Sequence, residues 1–336
     1  MTDTTTTTVS PRPADGPSAG GRALAAILEP IVASAYFALK AHEAFEALGH
    51  APSPGRPVDG WAKDHWGTAV LPDFLAYLSS RASLLGQAPG DVVTATFGVF
   101  SPSLLGPAVA SGFAIADPAT VRATRDRAAL GQLHRILGVV PDGLDRVNEL
   151  LLRANSGLQV AGKPIYAGVV ALGLPDEPML LMWRLSERLR EYRGDAFVAA
   201  FTVAGFDGCE IQILTERLAG DPPRAYVTTR GWSEDEIDAA EKRLQEKGLL
   251  EGDEATPAGA EAREQLERVV DRMCAPIEQA LGDNLPELAA RLQQWGDAIR
   301  SADGYYWSGP PEEIIHPAVQ EWLDAHGLRR LGVVPV

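Results

Sequence analysis

The sequence predicts a mainly α-helical protein, with helical-bundle lobes and an embedded winged helix-turn-helix carrying a short β wing. Three observations carry that prediction. Apolar residues recur at helical spacing, as at Leu24, Ile27, Leu28 and Ile31. Prolines 118, 178, 257 and 286 stand where a first helical turn tolerates a missing N–H. Residues 232–257 read as helix, tight hairpin and helix, and no other stretch reads as a convincing strand.

In chain order, residues 21–49 form a helix whose apolar stripe continues to Phe45 and Leu48, with Pro30 as a point of bending. Residues 50–72 are a loop rich in Pro and Gly that holds Trp61, Asp64, His65 and Trp66. Helices follow at 73–86, 90–100 and 102–112, the last two broken at Ser101-Pro102. Asp117-Pro118 opens a helix to about 137, another ends near Ala154, and residues 155–163 are a loop. Helices at 164–173 and 179–193 come next.

Ser233 and Glu236 then form a capping box, with Trp232 and Ile237 at the two positions of a hydrophobic staple. Ile237, Ala240 and Leu244 share one face, and Gly248 stops the helix. Leu249 and Leu250 begin a strand, GDEA makes the hairpin tip, and Thr256-Pro257 starts a long helix through Leu266, Val270 and Ile277. Pro286 opens a helix with Leu288, Leu292, Trp295 and Ile299 inward. Residues 303–336 are too aromatic for a free tail, with Tyr305, Tyr306, Trp307 and Trp322, and should pack on the body or on a partner. The expected organisation is a disordered tail (1–20), an N-terminal helical lobe (21–175), a winged-helix lobe (176–302) and the aromatic tail (303–336).

Composition narrows the function. The chain has 336 residues, net charge −15 and pI near 4.9, and is 46% hydrophobic, enough for a substantial core. No apolar run reads as a membrane span, and the N-terminus lacks the basic start and apolar centre of a signal peptide, so a cytoplasmic location is expected. Cys209 and Cys274 fall in predicted helices and read as buried apolar residues. The six histidines never pair at metal-ligand spacing, and no phosphate loop, dinucleotide fingerprint or nucleophile elbow is present. No metal or cofactor is therefore expected.

The run RGWSEDEIDAAEKRLQEKGLLEGDEATPAGAE resembles the reading helix, wing and following helix of MarR-like regulators. Together with LREYRGDAFVAAFTVAGFDGCE it resembles the SalK-type actinobacterial helix-turn-helix family over most of residues 22–300. That family pattern carries His at the positions of Tyr192 and Phe197, and YNFNP in place of GVFSP at 98–102. A ligand or metal held by those family residues has no counterpart here. A looser resemblance links the chain to cofactor-free proteins that form aziridines in azinomycin-type pathways, where an amine displaces a neighbouring sulfate.

A reading helix needs Arg, Lys, Asn or Gln for bases and cations for phosphates. Residues 233–247 instead set Glu234, Asp235, Glu236, Asp238, Glu241 and Glu246 against Lys242, Arg243 and Lys247, and the wing is also acidic. DNA is therefore not the expected partner.

Three clusters can carry chemistry. His42-Glu43 and Asp64-His65 are the candidate catalytic groups, each pairing an imidazole with a carboxylate that tunes it. Trp61 and Trp66 would wall the second as a substrate site; the first reads more simply as an exposed helical pair, and the second equally as a surface loop anchored by its tryptophans. Arg184, Arg188, Arg190 and Arg193, interleaved with Glu187, Glu191 and Asp195, read as an ion-pair ladder along one helix whose spare arginines could bind an anion. Arg81, Trp183, Arg184 and Arg188 complete the candidate substrate-binding set. The expected function is a small-molecule enzyme or binding protein of actinobacterial specialised metabolism, of cofactor-free lyase or cyclase type, that has abandoned DNA. The alternatives are a ligand-responsive regulator, or an accessory subunit whose C-terminal tail docks a partner. A homodimer is also open.

Overall fold

A helix whose inner stripe is apolar apart from the buried, ion-paired Arg22 sits at the centre of the protein. This is α1 (Ala19–Phe37), whose Leu24, Ile27, Leu28, Ile31 and Val32 are all buried. The computed structural model describes residues 18–37, 39–54, 73–302, 304–305 and 316–331. After α1 come α2 (Leu39–Glu46), α3 (Phe74–Ala82), α4 (Gly90–Phe97), α5 (Pro102–Ile115) and α6 (Pro118–Leu137). Then follow α7 (Leu144–Ala154), α8 (Pro164–Ala171), α9 (Pro178–Val203), α10 (Gly208–Ala219) and α11 (Glu234–Glu246). A two-stranded antiparallel hairpin, β1 (Leu250–Glu251) and β2 (Glu254–Ala255), leads into α12 (Pro257–Leu281), α13 (Leu285–Ser301) and α14 (Pro317–Ala325).

The local chemistry explains these boundaries. Asp117, Asp207, Ser233 and Thr256 each accept an N–H in the first turn of the helix they precede. Both Asp207–Glu210 and Ser233–Glu236 are complete capping boxes. Gly248 takes a φ of 72° just after α11, where a side chain would be strained.

One core joins α1, α6, α7, α9, α12, α13 and α14, and includes Tyr305, Val319, Leu323 and Leu331 from the C-terminal region. A second lies among α3, α4, α5 and α8. A third, smaller core joins α10, α11 and β1 through Ile213, Leu214, Val227, Ile237, Leu244 and Leu250.

Three differences from the sequence reading have physical causes. α9 does not stop at residue 193 but runs to Val203. Gly194 costs the helix little, because burial of Asp195, Ala196, Ala200 and Phe201 holds the following turns in place. Second, by length and composition the stretch Ala19–Glu46 is sufficient to cross a membrane, contrary to the sequence reading. Of its most apolar window, 67% is buried inside the structure, chiefly as part of the main core. Third, α1 begins at Ala19, inside the expected tail; residues 1–17, together with Trp61, Asp64, His65, Trp66, Tyr306 and Trp307, lie outside the described residues.

Candidate functional site

The inner face of α9 carries four buried charged residues, Arg184, Glu187, Glu191 and Asp195, more than any other described helix. Arg184 donates to Glu187 at 2.6 Å and reaches Asp126 of α6 at 2.6 Å. Glu187, fully buried, also meets Arg125 of α6. Arg190 forks onto Glu29 of α1 at 2.7 and 2.9 Å and donates to Glu191. Glu191 accepts in turn from Arg81 of α3 at 3.0 Å. Arg193 crosses to α12, to Glu267 at 2.5 Å and Asp271 at 3.5 Å. The arginines of α9 are thus not a ladder along one helix. Only Arg184–Glu187 and Arg190–Glu191 pair within it, because neighbouring helices cover this face and supply the other carboxylates.

Tyr36 of α1 lies at the meeting point. Its hydroxyl accepts from Arg125 at 2.7 Å, and its ring meets Tyr77 edge-on at 5.3 Å. The Arg125 guanidinium stands 5.4 Å from the Tyr36 centroid and 4.7 Å from that of Trp183. Burial pushes the Tyr36 phenol up, against the pull of Arg125 and Arg81. Burial opposes the charge on Arg81, Arg125 and Arg190, but the facing carboxylates outweigh it and raise all three. Burial likewise opposes ionisation of Glu191, and Arg81 and Arg190 hold its carboxyl below the usual range. Nε and Nη1 of Arg125 and Nε of Arg81 are buried and have no hydrogen-bond partner in the structure. Four arginines (81, 125, 184, 190) face four carboxylates (Glu29, Asp126, Glu187, Glu191), so the cluster is neutral overall while keeping spare donors.

The structure therefore brings Arg81, Trp183 and Arg184 together. Trp183 is fully buried, donates its indole N–H to the Val32 carbonyl at 3.3 Å, and lies under both Arg125 and Arg184. Arg188 turns toward α8 and donates to the Val170 and Gly173 carbonyls. His42 is buried in α2, while its neighbour Glu43 points outward and pairs with Lys40 at 2.6 Å. Sequence reasoning missed Tyr36 and Arg125. The signal for Arg125 was its register: it falls on the stripe of α6 that carries Val121, Ala128, Ala129 and Leu133 inward.

A second buried group lies further along α9. Asp195 accepts the N–H groups of Ile165 and Tyr166 at the start of α8, at 3.4 and 2.9 Å. Burial pushes its carboxyl up to about 6. Lys163 precedes α8, with Nζ 4.2 Å from the Tyr192 ring centroid. The Phe197 ring is covered by the Arg263 guanidinium at 4.9 Å.

The α10–α11 unit has a different character. Arg224 pairs with Glu234, Asp238 and Glu241 at 3.2, 2.6 and 2.5 Å. Arg217 also pairs with Glu241, Arg243 and Lys247 with Glu210, and Lys242 with Glu246. The side chains of Glu234, Asp238 and Asp253 remain 84%, 63% and 74% exposed, so the outward face is acidic.

Fold and site together define a mainly helical protein with a buried arginine–carboxylate cluster and a short hairpin after a helix pair. The chain belongs to a helix-turn-helix family, whose sequence model matches residues 21–306. No curated protein and no solved structure matches the chain.

Proposed function

We propose that this chain is a small-molecule enzyme or binding protein on a SalK-type, MarR-like winged-helix scaffold, and that its ligand is an anionic metabolite held by Arg81 and Arg125. The observation that carries this reading is the set of unpaired guanidinium N–H groups on those two residues, buried beside Tyr36 and Trp183. A sulfate, phosphate or carboxylate oxygen would satisfy them, and Arg presents such donors in a rigid fork. The finer reading is intramolecular substitution of the aziridine-forming type. The substrate amine bonds to the neighbouring carbon, the carbon–oxygen bond to sulfate breaks with its electron pair leaving on sulfate, and the ammonium proton passes to a base. His42, Glu43, Asp64 and His65 are the proposed bases, and Trp61, Trp66, Arg184 and Arg188 line the proposed substrate site. A cytoplasmic location, the division into lobes at residues 175/176 and docking of a partner or second copy through the C-terminal tail belong to the same proposal.

The test is a thermal-shift titration with inorganic sulfate and with a small β-amino sulfate ester. A saturable rise in Tm that Arg125→Lys weakens supports the reading; no rise with either anion refutes it. Release of sulfate from the ester, in step with loss of the amine, tests the reaction class.

The second reading is a ligand-responsive regulator, favoured by the family membership and by the helix pair and hairpin. It requires binding to upstream DNA with a steep negative salt slope. Fluorescence anisotropy across salt concentrations decides between them, because the acidic outward face of α11 predicts no binding even at low salt.

A further inference from the structure

The chain has 25 arginines but only five lysines: Lys40, Lys63, Lys163, Lys242 and Lys247. Of the four that lie among the described residues, three are surface groups paired to carboxylates: Lys40 with Glu43, Lys242 with Glu246 and Lys247 with Glu210. Lys163 differs on both counts. It is 4% exposed, and its Nζ has no hydrogen-bond partner. Among the described residues, a cation kept inside is otherwise an arginine locked to a carboxylate. An unpaired buried lysine is the exception, and its chemistry differs from that of arginine in one respect: it can lose its proton and become a nucleophile.

Burial favours that form. The Tyr192 ring, 4.2 Å from Nζ, attracts the ammonium and opposes it, and Tyr166 closes on Tyr192 edge-on at 5.0 Å. Burial lowers the Lys163 pKa, against the opposing influence of Cys274 and Asp195. Asp195 has both carboxylate oxygens engaged by the first N–H groups of α8, which fixes it beside the residue that precedes that helix. Burial also holds its carboxyl near 6, close to the value that suits proton transfer at neutral pH. Cys274 faces the same group, and burial raises its thiol, which disfavours the thiolate. The chain enters this spot from a surface loop, 155–162, whose residues 159–162 are exposed. The amine packs against the edge of the main core, at Tyr192, where the chain leaves that exposed loop.

We propose that Lys163 is a reactive amine that captures a carbonyl compound, an aldehyde or ketone, as an imine, with Asp195 as the proton carrier. The Nζ lone pair forms the new bond to the carbonyl carbon. The two amine protons pass to the carbonyl oxygen by way of a bridging water and Asp195, the carbon–oxygen bond breaks, and the oxygen leaves as water. No oxidant or reductant is consumed. The inference does not depend on an anion at Arg125, and either can fail without the other.

The experiment is reductive trapping on the intact native protein. Propionaldehyde and sodium cyanoborohydride are added at pH 7, and each lysine is scored by peptide mass spectrometry over time. An exposed lysine is free amine in only roughly one molecule in 2,500 at pH 7. Lys163, whose amine burial favours in the neutral form, is therefore expected to gain the N-propyl group faster than Lys40, Lys242 and Lys247. That advantage should persist in Tyr192→Phe, which keeps the ring, and shrink in Asp195→Asn, which removes the proton carrier. Circular dichroism of each variant confirms that it is folded. Labelling of Lys163 at or below the rate of the exposed lysines, or only after unfolding, overturns the proposal. A thiol adduct on Cys274 with Lys163 untouched overturns it as well.

Discussion

Replacing Glu267 by Gln should destabilise the protein by about 3 kcal/mol at pH 7 and blunt its response to acid. Glu267 sits on α12 between Arg263, 2.5 Å from one oxygen, and Arg193 of α9, 2.5 Å from the other. Its side chain is 15% exposed, so water screens the pair weakly. Burial alone would raise its pKa, but Arg263 and Arg193 overcome that and hold it at about 2, against an ordinary 4.5. At about 1.4 kcal/mol per pK unit, that difference corresponds to about 3 kcal/mol. Loss of one partner of a buried pair falls in the same range, about 3–5 kcal/mol. Glutamine keeps the shape and removes the charge. Arg193 retains Asp271 at 3.5 Å and Arg263 retains Thr215 at 3.1 Å, which limits further loss. The folded-state pKa lies below the unfolded one, so the contribution is complete above the unfolded value and disappears as the pH falls toward the folded one. Urea unfolding followed by far-UV circular dichroism should therefore show the gap between the two proteins shrinking to about half by pH 3. A gap below about 1 kcal/mol at pH 7, or a gap unchanged at pH 3, would refute the assignment.

Asp195 predicts the opposite sign. Its folded pKa is raised to about 6, so its burial penalty is present above that pH and is relieved as the pH falls through it. Asp195→Asn should stay within about 1 kcal/mol of the parent at pH 7 in urea melts, while Asp195→Ala, which leaves the Ile165 and Tyr166 N–H groups without an acceptor, should cost about 1–3 kcal/mol. Arg125→Met leaves Glu187 facing Arg184 alone and should cost about 3–5 kcal/mol. The double variant Arg125→Met, Glu187→Leu should recover part of that loss, and a fully additive result in denaturation would show that the two residues do not interact. Gly259→Ala would place a Cβ 2.3 Å from the Leu249 carbonyl oxygen, backbone that cannot step aside, and should lower stability by about 1–3 kcal/mol in thermal melts with the hairpin–α12 junction disturbed.

The features legible in the sequence were those governed by near neighbours. Capping residues, helix-opening prolines and the Gly252-Asp253 hairpin tip act within a few positions, and they placed α6, α11, the hairpin and α12 closely. The helix end set at residue 193 fell short for the same reason, because the burial that carries α9 on to Val203 is tertiary. The candidate site divides along this line. Arg81, Trp183 and Arg184 stood out by type and spacing, but Arg125 over Trp183, Asp126 on Arg184 and Glu191 on Arg81 come from other helices, the last two 58 and 110 positions away, and no spacing rule links them. Lys163 was legible only as a rarity in an arginine-rich chain.

The distribution of charge argues for what kind of ligand the fold selects. A protein that reads DNA turns cations outward and meets phosphates over a broad face. Here Arg81, Arg125, Arg184 and Arg190 face inward, and on the exposed face of α11 the acids Glu234, Asp238 and Glu246 outnumber Lys242. A neutral cluster of four arginines and four carboxylates contributes little net stability, since apolar residues of equal volume would serve as well. It does keep guanidinium donors in a site of low dielectric, where a single bound anion is held strongly. The net charge of −15 repels that anion at long range, and added salt screens this repulsion within about 8 Å at physiological ionic strength. Anion capture by the interior should therefore tighten or hold steady as an inert salt is raised from very low concentration. DNA binding by a basic face must weaken over the same range, so the sign of the salt dependence separates the two readings in one titration.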